Sequence, residues 1–202
     1  MDQIWIGKFW LEESSLFDWL IIGKLRAWAQ GHERKPLVLR GARQVGKTSA
    51  VNIFAREFDS YIYLNLELAE DAALFAHDLG VEELIQAIFF AKNIHRNAGR
   101  TLLFIDEIQN SPPAVAALRY FFESAPDLYV IGAGSLLEVM IGKQQISFPV
   151  GRVQYLFMYP LTFAEFLAAL SEDQALAAYH TVPLPAYAQE KLLKLFGLSF
   201  HL

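Results

Sequence analysis

Cysteine is absent from all 202 residues of the chain. This absence excludes disulfide bonds, thiolate zinc sites and cysteine nucleophiles. Positive charge is also scarce: 17 Lys and Arg stand against 22 Asp and Glu, so the formal net charge is -5 and no global field attracts nucleic acid or anionic lipid. The sequence further lacks the ~20 uninterrupted apolar residues of a membrane span and the basic start of a signal peptide. We therefore expect a cytoplasmic protein without a membrane segment or a nucleic-acid signature.

Residues 41–48, GARQVGKT, match the phosphate-binding pattern G-x-x-x-x-G-K-[ST]. The loop glycines let successive backbone N–H groups approach phosphate oxygens, and the helix that follows directs the positive end of its dipole at them. Lys47 would contact the β- and γ-phosphates, and the Thr48 hydroxyl would ligate Mg²⁺. The predicted nucleotide-binding residues are Gly41, Ala42, Arg43, Gln44, Val45, Gly46, Lys47, Thr48 and Ser49.

A local basic cluster accompanies this loop in the sequence. It consists of His32, Arg34, Lys35, Arg40, Arg43 and Lys47. Because opposite charge holds phosphate, the simplest use of the cluster is to surround and hold the ligand. For Arg34 and Lys35 the alternative is a solvated turn.

Strand and helix patterns alternate along the chain. Apolar and β-branched runs predict strands over 37–39, 61–66, 101–105, 129–132 and 153–157. Helical stripes lie between them, and Thr162 with Glu165 forms a capping box before a further helix. This alternation predicts a parallel, three-layer α/β sheet. A helix over residues 15–30 is expected before the first strand. Its apolar residues, which are either core residues or an exposed face for a partner, are Trp19, Leu20, Leu25 and Trp28.

The third predicted strand leads into Asp106 and Glu107. Ligands bind at the carboxyl ends of parallel strands, so both acids are expected beside the phosphate loop. Asp106 would hold Mg²⁺ directly or through water, and Glu107 would orient and deprotonate the attacking water. The alternative is a helix-capping or solvated acidic pair. An adjacent Asp and Glu is typical of water-activating ATPases, and the guanine-reading motif N-K-x-D is missing from the sequence, so ATP is expected rather than GTP.

Three further polar residues are expected at strand ends. Ser135 follows the fourth strand and either contacts the γ-phosphate or catalytic water, or caps the next helix. Asn65 either hydrogen-bonds Glu107 and keeps it idle until a partner binds, or stabilises a turn. Arg152 precedes the fifth strand and is either an arginine finger for the γ-phosphate of a neighbouring subunit or a solvated surface residue.

These motifs together resemble the AAA-type ATPases of bacteria and archaea in which a compact P-loop domain precedes a C-terminal domain of unknown function. The resemblance covers about residues 34–170 and depends on the stretches 39–48, 104–109, 134–135, 151–152 and 159–167. Gln109, which follows Asp-Glu-Ile, makes it more specific than a P-loop alone. The resemblance implies an α/β P-loop NTPase fold of AAA type: a parallel five-stranded sheet of order 5-1-4-3-2 with a short helical C-terminal tail.

The resemblance also implies Walker A, Walker B and sensor 1 roles for the loop, the acidic pair and Ser135. It divides the chain into an N-terminal helical segment at 1–33, an ATP-binding domain at 34–170, and a partial helical lid or truncated C-terminal segment at 171–202. We expect Mg²⁺-dependent ATP hydrolysis, with Glu107, Lys47 and Ser135 as catalytic residues and Arg152 acting in trans within a homo-oligomer. The tail contains no arginine for a sensor 2 role. The alternative is therefore a module that binds ATP without efficient hydrolysis and gates the capture of an unknown protein partner.

Overall fold

A computed structural model describes residues 3–6, 9–12, 20–76, 79–96, 99–135, 149 and 151–199. The elements in chain order are β1 (Gln3–Ile6), β2 (Phe9–Glu12), α1 (Leu20–Ala29), β3 (Leu37–Arg40), α2 (Lys47–Ala55), β4 (Ser60–Asn65), α3 (Ala69–Ala73), α4 (Val81–Ala91), β5 (Thr101–Asp106), a 3₁₀ turn (Ile108–Asn110), α5 (Pro112–Ser124), β6 (Tyr129–Gly134), β7 (Gln154–Phe157), α6 (Phe163–Ala169), α7 (Asp173–Tyr179) and α8 (Ala186–Ser199). Contacts divide the chain into two compact units, Leu25–Tyr159 and Met1–Lys24 with Pro160–Leu202.

The larger unit contains a parallel five-stranded sheet in the order β4-β5-β6-β3-β7. When β3 is numbered as the first strand of this sheet, the order is 2-3-4-1-5. Read from the other edge it is 5-1-4-3-2, so the predicted topology is confirmed. All six residues of β5 are buried, as expected for a strand that helices cover on both faces. β7 lies at one edge of the sheet, and three of its four residues are exposed.

Strand ends differ from the predictions by up to two residues. β4 begins at Ser60 and ends at Asn65, because these residues pair in register with Thr101 and Asp106 of β5. β6 continues to Gly134, which pairs with Arg40 of β3. Backbone pairing with the neighbouring strands sets these ends, whereas the predicted ends followed from side-chain type alone.

Leu20 of α1 is 65% exposed, whereas Leu25 is buried. Trp28 is also a core residue, which is the first of the two predicted roles. Its indole Nε1 donates a hydrogen bond of 2.8 Å to the Lys35 carbonyl, and its ring packs against Phe54 and Tyr129 at centroid distances of 6.4 and 6.2 Å. The start of the predicted helix, including Trp19, lies outside the described residues. None of the helices within the described ranges has the length and apolarity required to cross a membrane.

The smaller unit contains the antiparallel pair β1 and β2 and the helices α6 to α8. The predicted capping box begins α6: the Glu165 N–H donates to the Thr162 hydroxyl at 3.2 Å, and the Thr162 N–H donates to the Glu165 carboxylate at 2.9 Å. Phe163 packs edge-on against Tyr179 and Phe196 with centroid distances of 5.3 and 5.1 Å. Aromatic and aliphatic side chains therefore join the three helices around one apolar core.

Candidate nucleotide-binding site

The predicted phosphate loop connects β3 to α2 at the carboxyl edge of the sheet. Gln44 and Gly46 both have left-handed backbone conformations, with φ angles of 63° and 88°. Alternation of left-handed and right-handed residues curls a chain so that neighbouring N–H groups converge on an anion. Ala42, Arg43, Gln44 and Ser49 are exposed. The first turn of α2 starts directly after the loop and contains Lys47, Thr48 and Ser49.

Gly41 occupies a position that leaves no room for a side chain. The Met158 N–H donates to the Arg40 carbonyl at 2.7 Å, and this bond holds the end of β7 against the start of the loop. A Cβ atom added at Gly41 would lie 2.4 Å from the Met158 carbonyl oxygen. Since that oxygen belongs to the backbone, a rotamer change cannot relieve the contact.

Replacing Gly41 by Ala is expected to lower the free energy of unfolding by about 1–3 kcal/mol, because the sheet and loop must separate to admit a methyl group. Urea denaturation of the purified variant measures this change. Gly197→Ala is the matched control: Gly197 lies in α8, where an added Cβ meets nothing within 4 Å, and Ala is favoured over Gly in a helix. Equal stability of Gly41→Ala and the parent would contradict the packing described here.

Lys47 is buried, and its side chain folds back over the loop. Its Nζ donates to the carbonyls of Gly41 at 3.1 Å and Ala42 at 2.7 Å. Burial lowers the pKa of Lys47, while the carboxylates of Glu107 and Asp106 act in the opposite direction. The loop thus holds a desolvated ammonium group that an anion would stabilise.

The carboxyl end of β5 brings Asp106 to Thr48. The Thr48 hydroxyl donates to Asp106 Oδ2 at 2.7 Å, and Asp106 is buried. The Tyr63 hydroxyl lies 3.4 Å from the same oxygen, and burial together with Asp106 raises the pKa of Tyr63 to about 12. Tyr63 was not predicted as a site residue, because only the register of β4 on β5 brings it to this carboxylate.

The donor set fits Mg²⁺. A carboxylate and a hydroxyl in direct contact are hard oxygen ligands, and Mg²⁺ is usually held by one or two protein oxygens together with phosphates and water. Thr48 and Asp106 are the predicted metal ligands, and the structure brings them together.

Glu107 lies beside this pair, and its carboxylate is bound by a residue that sequence analysis did not assign to the site. The Gln109 side-chain amide donates to Glu107 Oε2. Of the two roles predicted for Asn65, the structure shows the stabilisation of a turn: the Asn65 Oδ1 accepts a hydrogen bond of 3.0 Å from the Glu67 N–H. The sequence signal for Gln109 was its place in the Asp-Glu-Ile-Gln motif, which carried no assigned role.

Ser135 and Arg152 lie at opposite edges of the sheet. Ser135 directly follows β6 at the carboxyl edge and is half-buried. Arg152 is exposed and precedes β7 at the amino edge, where its Nε lies 3.3 Å from Glu123 Oε1. A four-residue strand is about 13 Å long, so Arg152 is remote from the phosphate loop of its own chain.

The interpretation of the basic cluster as a single group around the loop is wrong. His32, Arg34, Lys35 and Arg152 line a pocket of about 470 Å³ at the amino edge. Arg34 stacks 3.5 Å above the Tyr129 ring and donates to the Pro126 carbonyl at 2.5 Å, and burial lowers the pKa of Arg34. Residues before and after β3 are close in sequence, but the strand carries them to opposite edges.

Comparison with known proteins agrees with this geometry. A family model described as an AAA domain matches residues 33–167, and the chain therefore belongs to this family. A Walker-type ATPase of Pyrococcus abyssi superimposes with a TM-score of 0.50 at 18% identity, covering 89% of this chain and 72% of that chain. Among curated proteins, no sequence matches significantly.

Two further solved structures show weaker similarity. The ORC1 protein of Aeropyrum pernix in complex with DNA has a TM-score of 0.46 at 17% identity, with coverage of 80% of this chain and 48% of that one. The ORC2 protein of the same organism, in ADPNP-ADP complexes, has a TM-score of 0.47 at 15% identity, with coverage of 76% and 51%. This chain thus spans about half the length of each. The family match and the fold define an AAA-type P-loop ATPase, a class that binds nucleotides.

Proposed function

We propose that the protein binds ATP at the 41–49 loop and hydrolyses it with Mg²⁺. The observation that carries the proposal is the convergence at one sheet edge of a buried ammonium, a hydroxyl–carboxylate pair and a second carboxylate. These are the groups that phosphoryl transfer to water requires: charge compensation, metal ligands and a base. ATP is favoured over GTP because the sequence contains no N-K-x-D motif.

The side chains have distinct roles in this reaction. Glu107 orients a water molecule in line with the γ-phosphorus and accepts its proton as the new P–O bond forms. The bond to the β-phosphate oxygen breaks, which releases ADP and inorganic phosphate. Lys47 offsets charge on the phosphate oxygens, and Ser135 contacts the γ-phosphate. Thr48 and Asp106 would hold Mg²⁺, which stabilises charge on the phosphate oxygens when bound.

Phosphate release from ATP by the purified chain tests this function. We expect steady release with Mg²⁺ and none in the presence of a chelator. ATP binding without phosphate release would support the second candidate, a nucleotide-gated module that captures a protein partner. Absence of ATP binding would contradict both.

Arg152 is proposed to complete the site of a neighbouring copy. Because its position at the amino edge is remote from the phosphate loop of its own chain, Arg152 would act in trans, and turnover would then depend on protein concentration. We expect Arg152→Ala to lower turnover at high protein concentration by about 10³-fold, at the low end of what arginine fingers contribute. The specific activity of the parent should rise with concentration, and that of the variant should stay flat.

Arg119→Ala is the matched control, because Arg119 contacts the same Glu123 oxygen at 3.1 Å. It should leave the concentration dependence intact. If the two variants behaved alike, or if the activity of the parent did not depend on concentration, Arg152 would be an ordinary surface residue.

A further inference from the structure

Gln109 is a buried residue of the acidic motif to which the proposed reaction assigns no role. It is 8% exposed, and its Nε2 donates to Glu107 Oε2. A buried amide with a carboxylate partner two residues away fixes the direction of that carboxylate. Gln109 is therefore placed to influence the proposed base without touching nucleotide.

The backbone that carries the two side chains is itself constrained. Glu107 has a left-handed conformation with φ 51° and ψ 42°, which is uncommon for a residue other than glycine. The Glu107 N–H donates to Asp106 Oδ1 at 3.0 Å, and its carbonyl accepts from the Asn110 N–H at 3.0 Å. The intervening Ile108 is fully buried. This turn holds the Cα atoms of Glu107 and Gln109 in one arrangement beside Asp106, the proposed metal ligand.

The two oxygens of Glu107 have different environments. Oε2 accepts from Gln109, whereas no residue of the described ranges donates to Oε1. Glu107 directly follows Asp106, whose carboxylate accepts a hydrogen bond of 2.7 Å from Thr48 of the phosphate loop. One oxygen is held and the other is left for water.

The amide of Gln109 is only half satisfied. Its Oε1 is buried and has no hydrogen-bond partner among the described residues. Rotating the amide would bring its oxygen against the Glu107 carboxylate, so the nitrogen must face the acid. A buried carbonyl without a partner costs stability, and the bond to Glu107 is the one hydrogen bond that the described side chain makes. If position 109 only had to fill space, an apolar residue of similar size would pack there equally well.

We propose that Gln109 is a positioning residue for hydrolysis: it holds Oε2 of Glu107 so that Oε1 remains directed at the attacking water. The proposal rests on the proposed function, because it assigns Gln109 a part in the same reaction. It predicts an effect on kcat that is separate from nucleotide affinity.

Gln109→Leu tests the proposal, since leucine has a similar volume and removes both the donor and the unpartnered oxygen. We expect kcat to fall about 10- to 100-fold, with KM and the Kd for ATP within about twofold of the parent, as for loss of an interaction made in the transition state. Asn110→Leu, at the exposed neighbouring amide, should leave kcat unchanged. An unchanged or increased kcat in Gln109→Leu would overturn the proposal.

A double-mutant cycle of Glu107→Ala and Gln109→Leu, followed by urea denaturation, provides a readout that does not depend on turnover. The effect of Gln109→Leu on the unfolding constant should differ about tenfold between the two backgrounds, as expected for a hydrogen bond to a charged group. If the parent hydrolyses ATP but the effects of the two substitutions on stability are additive, the role of Gln109 is refuted and the proposed hydrolysis is not. A parent that binds ATP but releases no phosphate would instead refute the proposed hydrolysis and, with it, any catalytic role for Gln109.

Discussion

Replacing Glu107 by Gln is expected to abolish ATP turnover, with kcat lowered by about 10²- to 10⁴-fold, the contribution typical of a general base. The amide keeps the size of the carboxylate but cannot accept a proton from water. Nucleotide affinity should be retained, because Lys47 and the Thr48–Asp106 pair remain in place. Phosphate release and equilibrium binding, measured on the same preparation, separate the two effects.

Glu67→Gln provides the control for this experiment. Glu67 is an exposed acid that follows β4 at the same edge of the sheet, so its neutralisation changes the net charge by the same amount. Its turnover should match that of the parent. If Glu107→Gln hydrolysed ATP as fast as the parent, Glu107 would not be the base.

Replacing Lys47 by Ala is expected to weaken ATP binding by about 100-fold, which corresponds to about 2.7 kcal/mol. The change removes a charge that would pair with phosphate and two hydrogen bonds, to the carbonyls of Gly41 and Ala42, that hold the loop. Interactions of this charge-assisted kind are among the strongest that a side chain offers to a phosphate. Turnover should fall with binding, unlike the selective loss of kcat expected for Glu107→Gln.

Titration calorimetry with ATP and Mg²⁺ measures the effect of Lys47→Ala on the affinity for ATP. Lys194→Ala is the control, because Lys194 is an exposed lysine of α8 and its loss changes the net charge equally. The control should bind as the parent does. Unchanged affinity in Lys47→Ala would mean that the loop does not hold the phosphates.

The sequence was sufficient for the parts of the fold that local chemistry determines. The continuous apolar run of β5 could be recognised because both faces of that strand are covered. The capping box of Thr162 and Glu165 could be recognised because its hydrogen bonds join residues three positions apart. The loop at 41–48 combines both kinds of signal, since its spacing is local and its flanking strand is buried.

Features that depend on the arrangement of strands were not predictable in the same way. Tyr63 reaches Asp106 through strand register, and Arg34 was grouped with the loop because sequence proximity does not reveal the direction of β3. Gln109 illustrates a third limit. Its motif was visible, but only the left-handed turn at Glu107 aligns the amide with the carboxylate.

Titration calorimetry of ATP with Mg²⁺ into the unmodified chain tests the central claim most directly, because every role proposed here requires the loop at 41–49 to bind the triphosphate. Circular dichroism of the same sample establishes that the protein is folded. We predict saturable heat with one ATP per chain, abolished by prior addition of excess ADP. A folded sample that gives no binding heat at several temperatures would contradict the claim.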